Sequence, residues 1–325
     1  MITFGNGRRF MWYIIAIASG IAVAGMWHLG WFSARSEWQE ASGWNRIPPE
    51  LRAIHPGVTA DHDPWIRWLG HSGFVIRWHG TTLILDPNLS ERCTVSKRVM
   101  QPPPAWPDVG PAHVLISHAH YDHLNQDTLV TLGGVSSILV PAGSETFLDR
   151  IDTNRVEVVP VELDTAYMIG TLRITPAWAA HNGNRFHPLR SRYSAVGYMI
   201  QSPGGRTLYY AGDTADHHRW TEWRERFHPD IAILPIGAYA PRYPLRFHHL
   251  NPEEAVQAAM AMGVRRMIPC HFGTFTLSLD RPGHALPRFA RAAGRAGLDW
   301  SMPELLTEND LGIITAAMRK DDHDS

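Results

Sequence analysis

The 325-residue sequence predicts an α+β domain of two sheets flanked by helices, carried behind one N-terminal transmembrane helix. Three observations lead there. Short strand-like runs dominate the first half, and helical patterns enter mainly between later strands, an order that fits two packed sheets better than a doubly wound parallel sheet. A histidine-rich cluster, "SHAHYDHLN", stands directly behind the apolar run Val114-Leu115-Ile116, so a buried strand gives way to a chemistry-bearing turn. Met11 to Phe32 reads "MWYIIAIASGIAVAGMWHLGWF" without a formal charge, long enough to cross a hydrocarbon core of about 30 Å.

Composition narrows the function classes. An apolar content of 44% supports a substantial core. Lys plus Arg (30) balance Asp plus Glu (31), so the basic excess of a nucleic-acid binder is absent. Two cysteines, Cys93 and Cys270, cannot build a disulfide framework, and nothing supports a single bridge between them. The 19 histidines are the informative feature, because several sit in tight groups.

Residues 1–35 form the anchor. Trp12 and Tyr13 mark one end of the apolar run and Trp27, Trp31 and Phe32 the other, as interfacial aromatic belts do. Arg8 and Arg9 precede it, while Arg35 on the far side is offset by Glu37 and Glu40, a bias that puts the N-terminus inside and the catalytic domain in the periplasm or outside the cell. A cleaved signal peptide is the rival reading, with Ala22 to Ala24 as an A-x-A site and Arg8-Arg9 as a short twin-arginine match. The run continues well past that cut, which favours a retained anchor; either way the domain is exported. Residues 36–63 ("RIPPELRAIHPG" among them) read as a linker.

The main domain spans residues 64–318. Strand-like runs are "WIRWLG", "FVIRWH", "TLILD", "HVLIS", "SSILV", "VEVVP", "LRITPAW", "AVGYMI", "TLYYAGD", "IAILPIG" and "MIPCH". Helical patterns are "QDTLVTLGG", "SETFLDR", "DHHRWTEWRERF", "NPEEAVQAAMAMG" and "LPRFARAAGRAG". The acidic end, residues 319–325, reads as a tail.

In an extended segment, residues i and i+2 point the same way, so His118 and His120 can bring two imidazoles together. Asp122 and His123 follow in the turn toward a helix beginning near Asn125, and project beside the first pair. That geometry suits two neighbouring metal ions, and imidazole with carboxylate is a ligand set zinc accepts. An isolated H-x-H is weak evidence; H-x-H-x-D-H behind an apolar strand is strong.

Here the sequence resembles the metallo-β-lactamase-fold hydrolases, whose hallmark is this motif. The resemblance implies a four-layer αββα sandwich and further ligands at His181 in "AAHNGN", Asp213 in "YYAGDT" and His271 in "IPCHFGT". By that resemblance His118, His120 and His181 hold one zinc ion, Asp122, His123 and His271 hold a second, and Asp213 bridges them. A closer likeness covers most of the chain after the linker. "WLGHSG", "LILDPNLSER", "LISHAHYDHL", "YYAGDT", "PIGAYAPR", "HHLNPEEA" and "CHFGTF" occur in the order found in N-acylphosphatidylethanolamine-hydrolysing phospholipase D and its bacterial relatives. This implies a phosphodiesterase acting on N-acylated phospholipids through a metal-bridging hydroxide. The chain departs from those relatives between Arg92 and Pro104, where it is shorter, and after His181, where Asn182 replaces a usual Trp; both segments border the substrate.

The residues singled out for the reaction are Asp122, His249 and Asp86. Asp86 in "LILDP" matches a position that orients a metal-ligand histidine; its ordinary alternative is a turn-starting Asp before Pro. His249 precedes a helix capped by Asn251 with Glu254 at the capping-box position, and by resemblance it lies over the site to bind phosphoryl oxygens or protonate a leaving alkoxide. His71 in "GHSG" is either a support for the metals or a plain turn residue. Arg185, Arg190, Arg192, Arg242 and Arg246 fall in two loops expected to rim the site, as recognition groups for an anionic head group or as solvated side chains. Cys270 alternates away from His271 and reads as a buried inert thiol; His217 and His218 read as surface residues in a helix. The alternative functions are a metal-dependent lactonase or other C–O or C–N hydrolase, and an inactive exported metal-binding protein. A periplasmic-active reporter fused to the C-terminus tests the topology: activity is expected outside the cytoplasm, and activity confined to the cytoplasm contradicts the orientation.

Overall fold

The computed structural model describes residues 63–100, 111–185, 194–280 and 283–305. The apolar segment Met11–Phe32, most of the linker and the acidic tail lie outside these residues. No helix among the described residues is long and apolar enough to cross a membrane.

Two six-stranded sheets face each other. The first has the order β1-β2-β3-β6-β7-β8: β1 (Trp65–Gly70), β2 (Gly73–Trp78), β3 (Thr81–Leu85), β6 (Ala112–Leu115), β7 (Val135–Pro141) and β8 (Glu157–Val161). The second has the order β14-β13-β12-β11-β10-β9: β9 (Tyr167–Ile169), β10 (Leu172–Asn182), β11 (Ser194–Gln201), β12 (Thr207–Tyr210), β13 (Ile231–Pro235) and β14 (Arg266–Cys270). A two-stranded hairpin, β4 (Arg92–Cys93) with β5 (Ser96–Lys97), stands apart.

Alternation sorts each strand's side chains into two cores. In β2, Phe74, Ile76 and Trp78 point between the sheets while Val75 points outward; in β3, Leu83 and Leu85 point inward and Ile84 outward. The inner core also takes Tyr198, Tyr209, Tyr210 and Trp68. Helices α2 (Trp220–Phe227), α3 (Pro252–Met262) and α4 (Ala285–Ala296) cover the second sheet through Trp223, Val256, Ala259 and Phe289. α3 begins with both halves of a capping box, Asn251 with Glu254, and ends at Gly263 in the left-handed region, where glycine carries no Cβ penalty.

The outer cover of the first sheet is thinner than its sequence suggests. "QDTLVTLGG" yields only the four-residue helix α1 (Gln126–Leu129), and "SETFLDR" only a 3-10 turn, Ser144–Phe147. Paired glycines end the first pattern at Gly133, and a segment this short does not sustain a longer α-helix on two leucine anchors, Leu129 and Leu132. Leu124, Leu129, Leu132 and Leu148 nevertheless close over Ile84, Val114 and Ile138, so four layers are complete. His217 and His218 precede α2 and do not belong to it.

Strand direction positions the site. β1 and β2 are antiparallel, β2 and β3 antiparallel, and β3 and β6 parallel, so β1, β3 and β6 all run one way. In the second sheet β10, β12, β13 and β14 share a direction by the same reasoning. The segments leaving these strands meet at one edge, where backbone bonds stitch the sheets together: Val196 N–H to Ser117 O at 2.9 Å and His271 N–H to His71 O at 3.0 Å.

Gly197 in β11 lies against its neighbour strand so closely that a Cβ would sit 2.7 Å from Tyr210 O and 2.7 Å from the Tyr209 ring. Gly197→Ala is expected to cost about 1–3 kcal/mol by overpacking, read as a lower midpoint in urea unfolding; an unchanged midpoint contradicts this packing.

Candidate metal centre

Each chemistry-bearing side chain of the centre follows a strand that points at this edge. His71 follows β1, Asp86 β3, the His118–His123 turn β6, Asp213 β12 and His271 β14, while His181 lies near the end of β10. The turns there are tight: His71, Asp86, Ala238 and His271 all hold positive φ, between 36° and 60°. Such backbone costs about 1–3 kcal/mol per residue and persists where the surroundings over-determine it. Gly237 is one device for that; a Cβ there would lie 2.0 Å from His271 O.

The predicted ligands gather in two groups. His118 Nε2 lies 3.0 Å from His120 Nδ1, and His181 Nε2 lies 3.1 Å from the same His120 atom. Asp122 Oδ2 lies 3.3 Å from His123 Nε2 and 3.3 Å from His271 Nε2. Asp213 stands between, its Oδ2 3.1 Å from His271 Nε2, 3.3 Å from His123 Nε2, and 3.9 Å from both His118 Nε2 and His181 Nε2. All seven therefore converge at one edge, with His118, His120 and His181 on one side of Asp213 and Asp122, His123 and His271 on the other.

The residues fit a metal. Tetrahedral zinc with Zn–N bonds of about 2.0–2.1 Å holds its nitrogens roughly 3.3 Å apart, close to the 3.0 and 3.1 Å separations in the three-histidine group. His123 Nε2, His271 Nε2 and Asp213 Oδ1 are buried without a hydrogen-bond partner, and such atoms are costly unless something else satisfies them. Burial alone would raise the Asp213 carboxyl, yet His271 and His123 hold it well below the usual carboxylate range. Burial likewise works against ionised Asp122, and His123 leads the groups that keep it low. The pocket therefore gathers carboxylates and imidazoles in a desolvated place, a donor set that a metal cation fits.

Supporting groups fix the rings. Asp86 Oδ2 accepts from His123 Nδ1 at 2.6 Å and from the Tyr210 hydroxyl at 2.6 Å; Oδ1 accepts from Ser117 N–H at 2.7 Å, and the Ser117 hydroxyl also donates to this carboxylate. Holding Nδ1 leaves Nε2 of His123 to face the other ligands. Asp86 is fully buried, so among the predicted reaction residues it acts through His123. His181 Nδ1 is fixed in the same way by His248 O at 2.8 Å. His71 proves to be more than a turn residue: its Nε2 is 2.9 Å from Asp122 Oδ2, and its N–H donates to Thr274 Oγ1 at 2.6 Å. Burial, with His271 nearby, lowers the His71 imidazole to about 4.

His249 Nδ1 lies 3.7 Å from Asp213 Oδ2 on the wall of a cavity of about 350 Å3. His120, Asp122, Asp213 and His271 form its polar floor, and Thr94, Leu245 and Leu277 line it too. Arg185 is the one arginine or lysine among the described lining residues; it stacks over Tyr121 at 4.0 Å and donates to Leu124 O.

Arg242 does not rim the cavity. Its guanidinium donates to His249 O at 2.8 Å and pairs with Glu254, so it braces the loop that carries His249. Arg246 is exposed, and Arg190 and Arg192 lie outside the described residues. Cys270 is fully buried, and both cysteines are free. His218 is exposed as expected, but His217 is half-buried: its ring stacks on Trp220 at 3.6 Å and meets Trp178 and Trp223 edgewise, and burial pushes it down to about 3. Sequence reading missed Ser117, Tyr210, Asn88 and Thr274. Tyr210 alone had a signal, an inward position in β12 three residues before Asp213. Asn88 donates to Tyr121 O at 3.2 Å and steadies the motif turn.

A model described as the Beta-lactamase superfamily domain matches residues 81–272. The chain belongs to this superfamily. An uncharacterized protein of Mycobacterium tuberculosis is 32% identical over 240 residues, 70% of this chain and 63% of that protein, so the match spans under two thirds of its length. A metal-dependent hydrolase of Pyrobaculum arsenaticum is 28% identical over 67% of this chain and 88% of its own. The N-acyl-phosphatidylethanolamine-hydrolyzing phospholipase D 1 of Caenorhabditis elegans is 28% identical over 65% of this chain and 64% of its own. Among solved structures, an isothiocyanate hydrolase from Delia radicum gut bacteria superposes with a TM-score of 0.56 at 17% identity, covering 73% of this chain and 95% of that one. A metallo hydrolase from Ignicoccus hospitalis gives 0.52 at 19%, covering 74% and 95%. These two show a shared fold and nothing finer, and together with the family model they place the chain in the metallo-β-lactamase fold.

Asp86→Asn is expected to weaken metal affinity by about 10–100-fold, the usual cost of losing a group that orients a ligand histidine. A competitive chelator titration measures it, with far-ultraviolet circular dichroism confirming a folded protein; unchanged affinity would show that His123 needs no such support.

Proposed function

We propose that the protein is a metal-dependent phosphodiesterase of phospholipase D type, using two zinc ions on N-acyl phospholipids or similar lipids. The observation that carries this reading is the placement of two ligand groups on either side of the single carboxylate of Asp213, with His120, Asp122, Asp213 and His271 opening on one cavity. The likeness to the nematode phospholipase D supports the choice of substrate class. When bound, the ions supply Lewis acidity toward water and toward phosphoryl oxygens.

The chain's own groups do the rest. His71, Asp86 and His248 O hold Asp122, His123 and His181 in register, so little reorganisation is needed when substrate arrives. His249, lowered to about 4 by burial, is a neutral imidazole near pH 7 and offers an N–H to a phosphoryl oxygen. Arg185 stands on the wall as a cation for an anionic substituent, and Leu245, Leu277 and Ala238 give the apolar part of the substrate a surface. The cavity's thiol, Cys93, is pushed up to about 12 by burial and stays protonated, so it offers no thiolate nucleophile. The apolar segment Met11–Phe32 would tether the domain outside the cytoplasm and raise its effective concentration at a bilayer.

Removing metal with a chelator is expected to abolish turnover, and zinc to restore it at two ions per chain by elemental analysis. The reloaded protein should release phosphatidic acid from N-acylphosphatidylethanolamine and cleave a generic phosphodiester. Activity on a lactone alone would replace this reading with the lactonase one, and two bound ions without turnover would leave a metal-binding protein.

A further inference from the structure

Large apolar side chains in water are ordinary when scattered and informative when clustered. Among the described residues nine are conspicuously exposed; Leu277, at 38%, lines the metal-centre cavity, and Val95 at 58%, Tyr243 at 74%, Phe247 at 57% and Leu279 at 49% lie within two positions along the chain of its lining residues Thr94, Leu245 and Ser278. Of the other four, Tyr121 also lines the cavity, whereas Val130 on α1's end, Met168 on β9 and Met260 on α3 each stand on a different element.

The five come from three separate segments brought to one rim. Val95 is the tip of the β4–β5 hairpin, whose Ser96 hydroxyl accepts from Thr276 N–H at 2.9 Å. Leu277 and Leu279 follow in that same loop, which is fastened by Leu279 N–H to Ala240 O at 2.8 Å and by Asp280 to Tyr239 N–H and Ala240 N–H. Tyr243 and Phe247 flank the cavity residue Leu245, their rings 5.6 Å apart and edge to face. Three separate loops thus each raise apolar groups beside the lining of the cavity.

We propose that this rim docks on a lipid surface, so that the cavity opens into the headgroup layer. The proposal rests on the lipid reading above and adds how the substrate is delivered. A protein partner seated on the same rim would cap the cavity, whereas a bilayer that touches the rim presents its headgroups to it. Tyr243 has the amphipathic ring favoured at such interfaces, and exposed Arg246 beside Phe247 is placed to meet phosphates while the ring lies deeper.

The test uses the full chain in vesicles, so that tethering by any apolar N-terminal segment is common to all samples. Phe247→Cys and Met168→Cys each carry one environment-sensitive fluorophore; the native thiols are buried and do not compete. Met168 pairs with Arg173 at the start of β10, roughly 25 Å along the strand from His181. Vesicles of phosphatidylcholine and phosphatidylglycerol at about 3:1, with brominated tails as quencher, are expected to cut emission at position 247 to about half while leaving position 168 unchanged, since an interfacial group lies only about 5–10 Å deep. No quenching at position 247 would overturn the docking, as would energy transfer between 247-labelled copies in its place. Either outcome is independent of hydrolysis, so it leaves the catalytic reading to its own assay.

Discussion

One buried carboxylate holds the two sheets and the metal-facing histidines in a common frame. Asp86 leaves β3 of the first sheet, accepts from Ser117 and His123 in the turn after β6, and accepts from Tyr210 on β12 of the second sheet. Removing any one donor would leave charge buried against fewer partners, which is far costlier than losing a neutral hydrogen bond. The same contact that joins the layers also sets the His123 ring. Cohesion of the sandwich and geometry of the centre are therefore two readings of one interaction.

The centre was largely legible in the sequence because its ligands obey a positional rule. Each stands at or just beyond the end of a strand; His118, His120, Asp122 and His123 showed in their own spacing, while His181, Asp213 and His271 were matched to them through the family resemblance, and the shared strand direction explains why they meet. The strands themselves were readable from apolar alternation, and α3 from Asn251, Pro252 and Glu254. The weak elements were not: α1 and the Ser144 turn contribute little beyond leucine anchors, and tertiary contacts decide how far such short helices extend. β9 is three residues long, too short for any period to show.

What sequence missed was long-range and polar. Nothing in the local pattern around Thr274 indicates that its hydroxyl receives the His71 amide across 203 positions. Arg242 misled for a related reason, since an arginine in a site-bordering loop looks like a ligand-binding group until its carboxylate partner, Glu254, is seen to occupy it. His217 looked fully exposed because its neighbours are polar; the tryptophans that half-bury it come from β10 and α2.

Glu254 does two jobs at once. It completes the capping box of α3 by accepting from Asn251 N–H at 3.0 Å, and it binds the arginine that grips the carbonyl of His249. The start of a helix and the height of a cavity wall are thereby locked to one ruler. An inserted or deleted residue between positions 242 and 254 would shift one against the other, so length variation across natural variants should be purged from this stretch. The glycine turn at 204–205, which touches neither the ligands nor the cavity, is free to drift.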